Sequence, residues 1–444
     1  MRVLVITMAA ALVLTGASAQ AASFGPVATV GSAPTLASAA VAGAGGTFAF
    51  VARQEAGIVG AVRRGPGAAW ETHTLAAGSD FSMRDAQIVI DATGTVTALW
   101  TSEQPYPSLV AARAPAGKAF GTGHVVARLN DATGASPRMV VLPSGRVLVV
   151  FEDRAFTGPR MLSSSVRLKT IVLDAGRASA AHDLGVVGAF PAIGRVGGGA
   201  VVGFVAGTAR CTLSVCAARP LRATLLDAAG RRSGPTVTVA GDAAATFYPP
   251  RVTTTGSLAV FAWVRPGHGV GSPPKPFTRA FSTRPLRASE VARPFPIFGG
   301  PGVGTPAVAI LPGGGLLGAD VGAGAPGGAF GGEAQVSVAP VGGVWQTPSV
   351  LTSPSGWTTV PRLNVLGDGQ ALAIFARARD VPGPAAYDVI AAEGSPTGAL
   401  TQTTLGSSLA TDDAGGLSSS VAPDGQAIVT WPDFNGGVDV VLGT

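Results

Sequence analysis

Three Pro-Arg dipeptides stand out in a chain poor in charge: Pro137-Arg138, Pro250-Arg251 and Pro361-Arg362. A guanidinium fork matches a carboxylate or phosphate through paired hydrogen bonds. Three of them at one place would clamp an anion, whereas three on separate surfaces would be solvated charges. On the face that carries the long loops, the candidates to transfer protons or attack a substrate are Asp85, Glu103, Glu152 and Asp153, with Tyr106 and Tyr248. Glycoside hydrolysis asks for two placed carboxyl groups, or for a tyrosine nucleophile in place of one. No Gly-x-Ser-x-Gly elbow is present. The glycine runs at 197–199 and 313–315 lead into no helix pattern, so they read as turns and not as phosphate cradles. Asp433, Asn435 and Asp439 offer three oxygens, short of the six to eight that calcium takes. A solvated turn is expected there, and neither a metal nor a cofactor is indicated. The four histidines, His73, His124, His182 and His268, are scattered.

The elements that must hold these residues are visible as a repeat. The chain has 444 residues, 63 of them Gly and 34 Pro, with 47% hydrophobic and 13% charged residues. That charge content is about half the usual ~25%, yet the apolar fraction is too high for a disordered chain. Single cores stop growing beyond ~250–300 residues, so a chain of this length is several domains or one array. A glycine turn followed by an apolar run recurs: GTFAFVA from Gly46, GTVTALW from Gly94, GRVLVVF from Gly145, GAVVGFV from Gly199, GSLAVFAW from Gly256, GGLLGAD from Gly314, GQALAIF from Gly369 and GQAIVTW from Gly425. The copies lie 48 to 58 residues apart, and an aromatic stands six residues past the glycine at Trp100, Phe151, Phe375 and Trp431. Pro sits eight residues before the glycine at Pro137, Pro191, Pro306 and Pro361, a place where a strand's first residue needs no ladder N–H.

Further strands follow each pair, and four strands per ~54 residues make a propeller blade. The last copy ends after its third strand, while Phe24 to Val30 has the fourth-strand pattern seen from Phe120 onward. The sequence therefore predicts an all-β chain, a single eight-bladed β-propeller with the N-terminal strand closing the last blade. Seven blades is the alternative if the copy around Gly314 is an insertion, and a row of separate β-sandwiches is the competing architecture. The pattern resembles secreted bacterial β-propeller proteins over the whole mature chain, at superfamily level. The Ser-x-Asp-x-Gly-x-Thr-Trp box of sialidase-type propellers is not reproduced, nor are the Trp-Asp dipeptide and the Asp-rich calcium loop of other propeller classes. Sialidase-type propellers use an arginine trio of this kind, but no activity carries over residue by residue; Arg138, Arg251 and Arg362 read either as an anion clamp or as solvated arginines at equivalent strand starts.

In such blades the long loops between second and third strands share a face with the loops entering each first strand. The former run over 101–108, 152–160, 265–276 and 377–384, and the latter bring Arg84, Asp85, Tyr248, Trp357, Asp412 and Asp413. Function sits on such loops when a rigid scaffold holds them. The candidate ligand-binding set is Arg84, Asp85, Glu103, Tyr106, Arg138, Glu152, Tyr248, Arg251, Trp357 and Arg362.

Met1-Arg2, an uncharged apolar run from Val3 to Leu14 and Ala17-Ser18-Ala19 form a signal-peptide pattern. Residues 1–21 are expected to be removed, leaving 22–444 as the propeller in a secreted or periplasmic setting. There Cys211 and Cys216 are expected to form a disulfide. The uncharged stretch from Pro294 to Ala319 is broken throughout by Pro and Gly, so no membrane-spanning helix fits it. Residues 210–293 hold 12 basic against 3 acidic residues, and 363 to the end hold 2 basic against 9 acidic. Such asymmetry steers an anionic partner. The sequence reading is an exported binding or scaffold module, a monomer, for an anionic glycan, a cell-envelope polymer or a protein. Nucleic acid is not expected, because no basic groove interleaved with aromatics is present. The alternative is a sialidase-like or other glycan-cleaving hydrolase.

Overall fold

The computed structural model describes residues 23–443 apart from short internal segments, the longest being 78–85, 267–274, 297–304, 324–331, 380–386 and 409–415. The chain is all-β, and the first, second, sixth and seventh repeats each fold into an antiparallel sheet of four strands in sequence order. The first is Thr35–Gly43, Thr47–Gln54, Gly57–Arg64 and Glu71–Ala77. The turn between first and second strands needs a left-handed residue, which Gly145 (φ 79°) and Gly425 (φ 88°) supply. Each closes its turn by donating its N–H to the carbonyl three residues back, at 2.9 Å. The irregular copy around Gly314 forms a sheet of its own: Ala307–Ile310, Leu316–Ala323, Gly332–Ala339 and Ser349–Val350.

Neighbouring sheets cover each other's faces, which is why the second strands read as continuous apolar runs rather than alternating ones. Val96–Ser102 is buried at every position. The recurring aromatics fill the space between sheets. Trp100 packs with Ile58 and Leu75 of the preceding sheet, and Trp431 packs with Leu372 and Ile374 of its predecessor.

The first strands line a common axis. Thr35–Gly43 touches Gln87–Ile90, which touches Arg138–Val141, and so on through His182–Val196, Arg251–Thr255, Ala307–Ile310, Arg362–Val365 and Ser418–Val421. The last of these lies back against Thr35–Gly43. A closed ring of sheets around a channel is a β-propeller. The final sheet is completed by the chain's own start, as Ala28, Thr29 and Val30 pair with Val440, Asp439 and Val438. Phe24 bridges to Gly443 in the same direction. No helix among the described residues is long and apolar enough to cross a membrane.

Two features depart from the sequence reading. The loop expected from residue 152 begins later, because Val147–Thr157 is one continuous strand. The third and fourth repeats also share a strand. His182–Val196 pairs through His182, Asp183 and Val187 with Ser163–Asp174, then from Gly188 onward with Gly199–Ala206. It is the outer strand of one sheet and the inner strand of the next. The register shifts between Ala189 and Ala192, and Phe190 there is left-handed at φ 55°.

Candidate functional site

The three Pro-Arg dipeptides meet. Arg138, Arg251 and Arg362 each open a first strand, in the third, fifth and seventh sheets along the chain. All three line one cavity of about 390 Å³ at the axis. The intervening strands contribute Ala192 and Ala307 to its wall, small residues that leave room between the guanidinium groups. Asn364 and Ser419 also line it, joined by a hydrogen bond from Asn364 Nδ2 to Ser419 Oγ at 2.9 Å.

Two of the arginines are anchored by backbone. Arg138 Nη1 donates to the Pro137 carbonyl at 2.8 Å, and Arg362 Nε donates to the Leu417 carbonyl at 3.2 Å. Among the described residues no hydrogen bond or ion pair engages the Arg251 guanidinium. Burial first, then the positive charge of Arg362, bring its pKa down from the ordinary guanidinium range to about 10; Arg138 adds to the depression and Asp320 opposes it. Burial also lowers the Arg362 pKa. Surrounding protein strips the guanidinium groups of water while each still shows a face to the cavity. An anion placed among them would supply the missing negative charge.

Asp320 was not visible as a site residue. It is fully buried, on the strand Leu316–Ala323, where its Oδ1 accepts the Val321 N–H at 2.8 Å. Its position is six residues past Gly314, which an aromatic holds in four other copies. The GGLLGAD copy thus carried the signal: an acid in an aromatic's place is costly to bury and calls for a nearby cation.

Of the remaining candidates, the described ones, Glu103, Tyr106 and Glu152, do not line the arginine cavity. Glu152 is fully buried; its Oε1 accepts the Phe190 N–H at 2.7 Å, and its Oε2 pairs with Arg154 at 3.2 Å. It braces the left-handed residue where the shared strand crosses between sheets, and so is not an open-loop ligand contact. Asp153 accepts from Asn130 and pairs with Lys169 Nζ at 2.6 Å. Glu103 is exposed. Tyr106 lies under the Arg128 guanidinium, 4.3 Å from ring centre to Cζ, and its hydroxyl accepts from Arg128 at 3.3 Å. Arg84, Asp85, Tyr248, Trp357, Asp412, Asp413 and Asn435 lie outside the described residues.

At the chain closure, Asp439 Oδ1 accepts from Thr29 Oγ1 at 2.8 Å. Burial raises the Asp439 pKa, against the pull of that hydroxyl. Among the described residues no three His, Cys, Asp or Glu side chains group as metal ligands. Cys211 and Cys216 stand opposite each other in the register of a short hairpin.

No protein-family model and no curated protein sequence matches the chain. Solved structures do. One is a polysaccharide lyase, an ulvan lyase: TM-score 0.51 at 11% identity, over 82% of this chain and 92% of that one. A structure of an ulvan lyase bound to GlcA(1-4)Rha3S gives TM-score 0.51 at 9% identity, over 93% and 94%. A puromycin-hydrolyzing peptidase of Mycobacterium tuberculosis gives TM-score 0.50 at 14% identity, over 92% of this chain and 61% of that one. At these identities the likeness is one of fold.

Proposed function

We propose that this chain is an exported, eight-bladed propeller that acts on an acidic glycan, with a carboxylate or sulfate of the sugar held by Arg138, Arg251 and Arg362. The observation that carries this reading is the convergence of three guanidinium groups from alternate sheets on one cavity whose described lining has no Asp or Glu. Carboxylate and sulfate oxygens fit such forks. A ligand that binds ulvan lyase, GlcA(1-4)Rha3S, carries both a uronate and a sulfate.

Of the two ways to act on a glycan, cleavage draws more support than passive scaffolding, because a glycan-cleaving enzyme shares this fold across nearly the whole chain. Arginines at the carboxylate of a uronic acid would stabilise the charge that builds up when the neighbouring carbon loses its proton, the first step of elimination. Hydrolysis by a pair of carboxyl groups is less favoured, since no Asp or Glu is among the described residues that line the cavity. Tyr248, two positions before Pro250, is the proposed proton-transfer or nucleophilic group.

The test is incubation with polyuronates and sulfated uronate polymers. Elimination gives both new reducing ends and the ultraviolet absorbance of an unsaturated sugar, whereas hydrolysis gives reducing ends alone. Arg251→Met and Arg362→Met should abolish binding, and Tyr248→Phe should abolish turnover while sparing it. If no carboxylated or sulfated glycan binds or shortens, the reading is wrong.

A further inference from the structure

The arginine cavity also opens inward. A second cavity, of about 910 Å³, shares Ile193, Val252 and Thr253 with it and follows the same first strands toward the opposite face. Its charged lining is Arg195 and Arg284, with no Asp or Glu. Arg195 is two residues beyond Ile193 on one strand, and side chains alternate along a strand, so both project to the same side, into the bore. Arg284 reaches in from the turn after Lys275–Thr283 and lies so close to the backbone at Gly197 that any side chain there would collide with it. Both arginines are exposed, and among the described residues no hydrogen bond or ion pair engages either guanidinium.

Cationic groups thus stand at two levels of one bore. Ala192 marks the level of the trio and Arg195 the level below, three residues further at ~3.3 Å each, or about 10 Å. We infer that the bore is a two-station path for a linear polyanion: an acidic glycan enters end-on, with one charged sugar at Arg138, Arg251 and Arg362 and the next at Arg195 and Arg284. The inference rests on the arginine cavity being a glycan site, and adds that the site takes chain ends. A glycan lying across the face in mid-chain would meet the first station alone.

Calorimetric titration of glucuronate and of a tetrasaccharide with alternating uronates separates these cases. The wild-type protein should bind the tetrasaccharide at least about tenfold more tightly than the monosaccharide, because a second charge-assisted contact is made. The double variant Arg195→Gln/Arg284→Gln should lose that gain and keep its affinity for glucuronate. Arg195→Lys/Arg284→Lys, which keeps the charge, should retain most of it. A gain that survives in the glutamine variant overturns the two-station path, as does a wild-type protein that binds glucuronate with no gain for the tetrasaccharide. Failure of wild type to bind either saccharide overturns the reading of the first cavity, and this inference with it.

Discussion

Replacing Arg251 by methionine removes the guanidinium charge and keeps much of the side chain's length. In the ligand-free protein that charge is unfavourable, since burial and the positive field of Arg362 hold its pKa at about 10, well below the ordinary guanidinium value, a net result that already includes the pull of Asp320. At 1.36 kcal/mol for each tenfold step in proton affinity, the charge disfavours the folded state by at most ~3 kcal/mol. Water in the cavity screens part of this, so Arg251→Met should stabilise the empty protein by ~1–2 kcal/mol at pH 7. The same substitution should abolish glucuronate binding, the usual opposition between stability and a functional cluster of like charges. The pH dependence has a definite sign. From about 10 up to the ordinary guanidinium pKa the unfolded chain holds a proton that the folded protein has released, so wild-type stability rises with pH across that window. The variant lacks the group, so its advantage should shrink from pH 10 upward. Urea midpoints of both proteins at pH 7 and above pH 10 measure this. A variant less stable than wild type at pH 7, or an advantage that does not change with pH, would show that Arg251 is held by favourable partners and is not poised for an anion.

Four further outcomes follow from the same structure. Deleting residues 24–30 removes the closing pairs, the Thr29–Asp439 bond and the buried Val30 side chain; a loss of ~4–6 kcal/mol is expected from three or four hydrogen bonds and one buried valine, and an unchanged denaturation midpoint would disprove the closure. Glu152→Ala strands the Phe190 N–H and Arg154 and should cost ~3–5 kcal/mol while sparing glucuronate affinity; lost affinity at full stability would return Glu152 to the binding site. Cys211 and Cys216 should be oxidised in exported protein, since paired antiparallel positions lie within disulfide reach; two thiols titrating in the unfolded, unreduced chain would contradict this. Exported protein should begin near Gln20 or Ala22, and N-terminal sequencing that reads Met1 would exclude signal cleavage.

Much of the architecture was legible because each repeat states it again. The glycine turns and the aromatics Trp100, Phe151, Phe375 and Trp431 mark second strands, and Phe24 to Val30 marked the closure. The arginine trio was legible for the same reason: Arg138, Arg251 and Arg362 open equivalent first strands, and these line one cavity. Asp320 was missed because a single acid in an apolar run shows its meaning only against the aromatic of its sister copies. Glu152 was misplaced because nothing local says that a strand outruns its aromatic by six residues. The strand His182–Val196 was hidden by Pro191, which elsewhere opens a first strand. Arg284 belonged to the basic stretch 210–293 read as steering an anionic partner, but its place beside Arg195 gave no signal, since the bore they line is assembled from separate repeats.

The strand shared by the third and fourth sheets bears on how this chain can vary through descent. Elsewhere one sheet is joined to the next through a separate connecting segment, where added or deleted residues are readily absorbed. Between Val187 and Ala192 there is no such slack. One inserted residue would reverse the facing of everything beyond it, turning Ile193 and Arg195 from the bore into the sheet interface. Relatives of this protein should therefore differ in length at many of its junctions but keep the spacing from Asp183 to Gly199 unchanged.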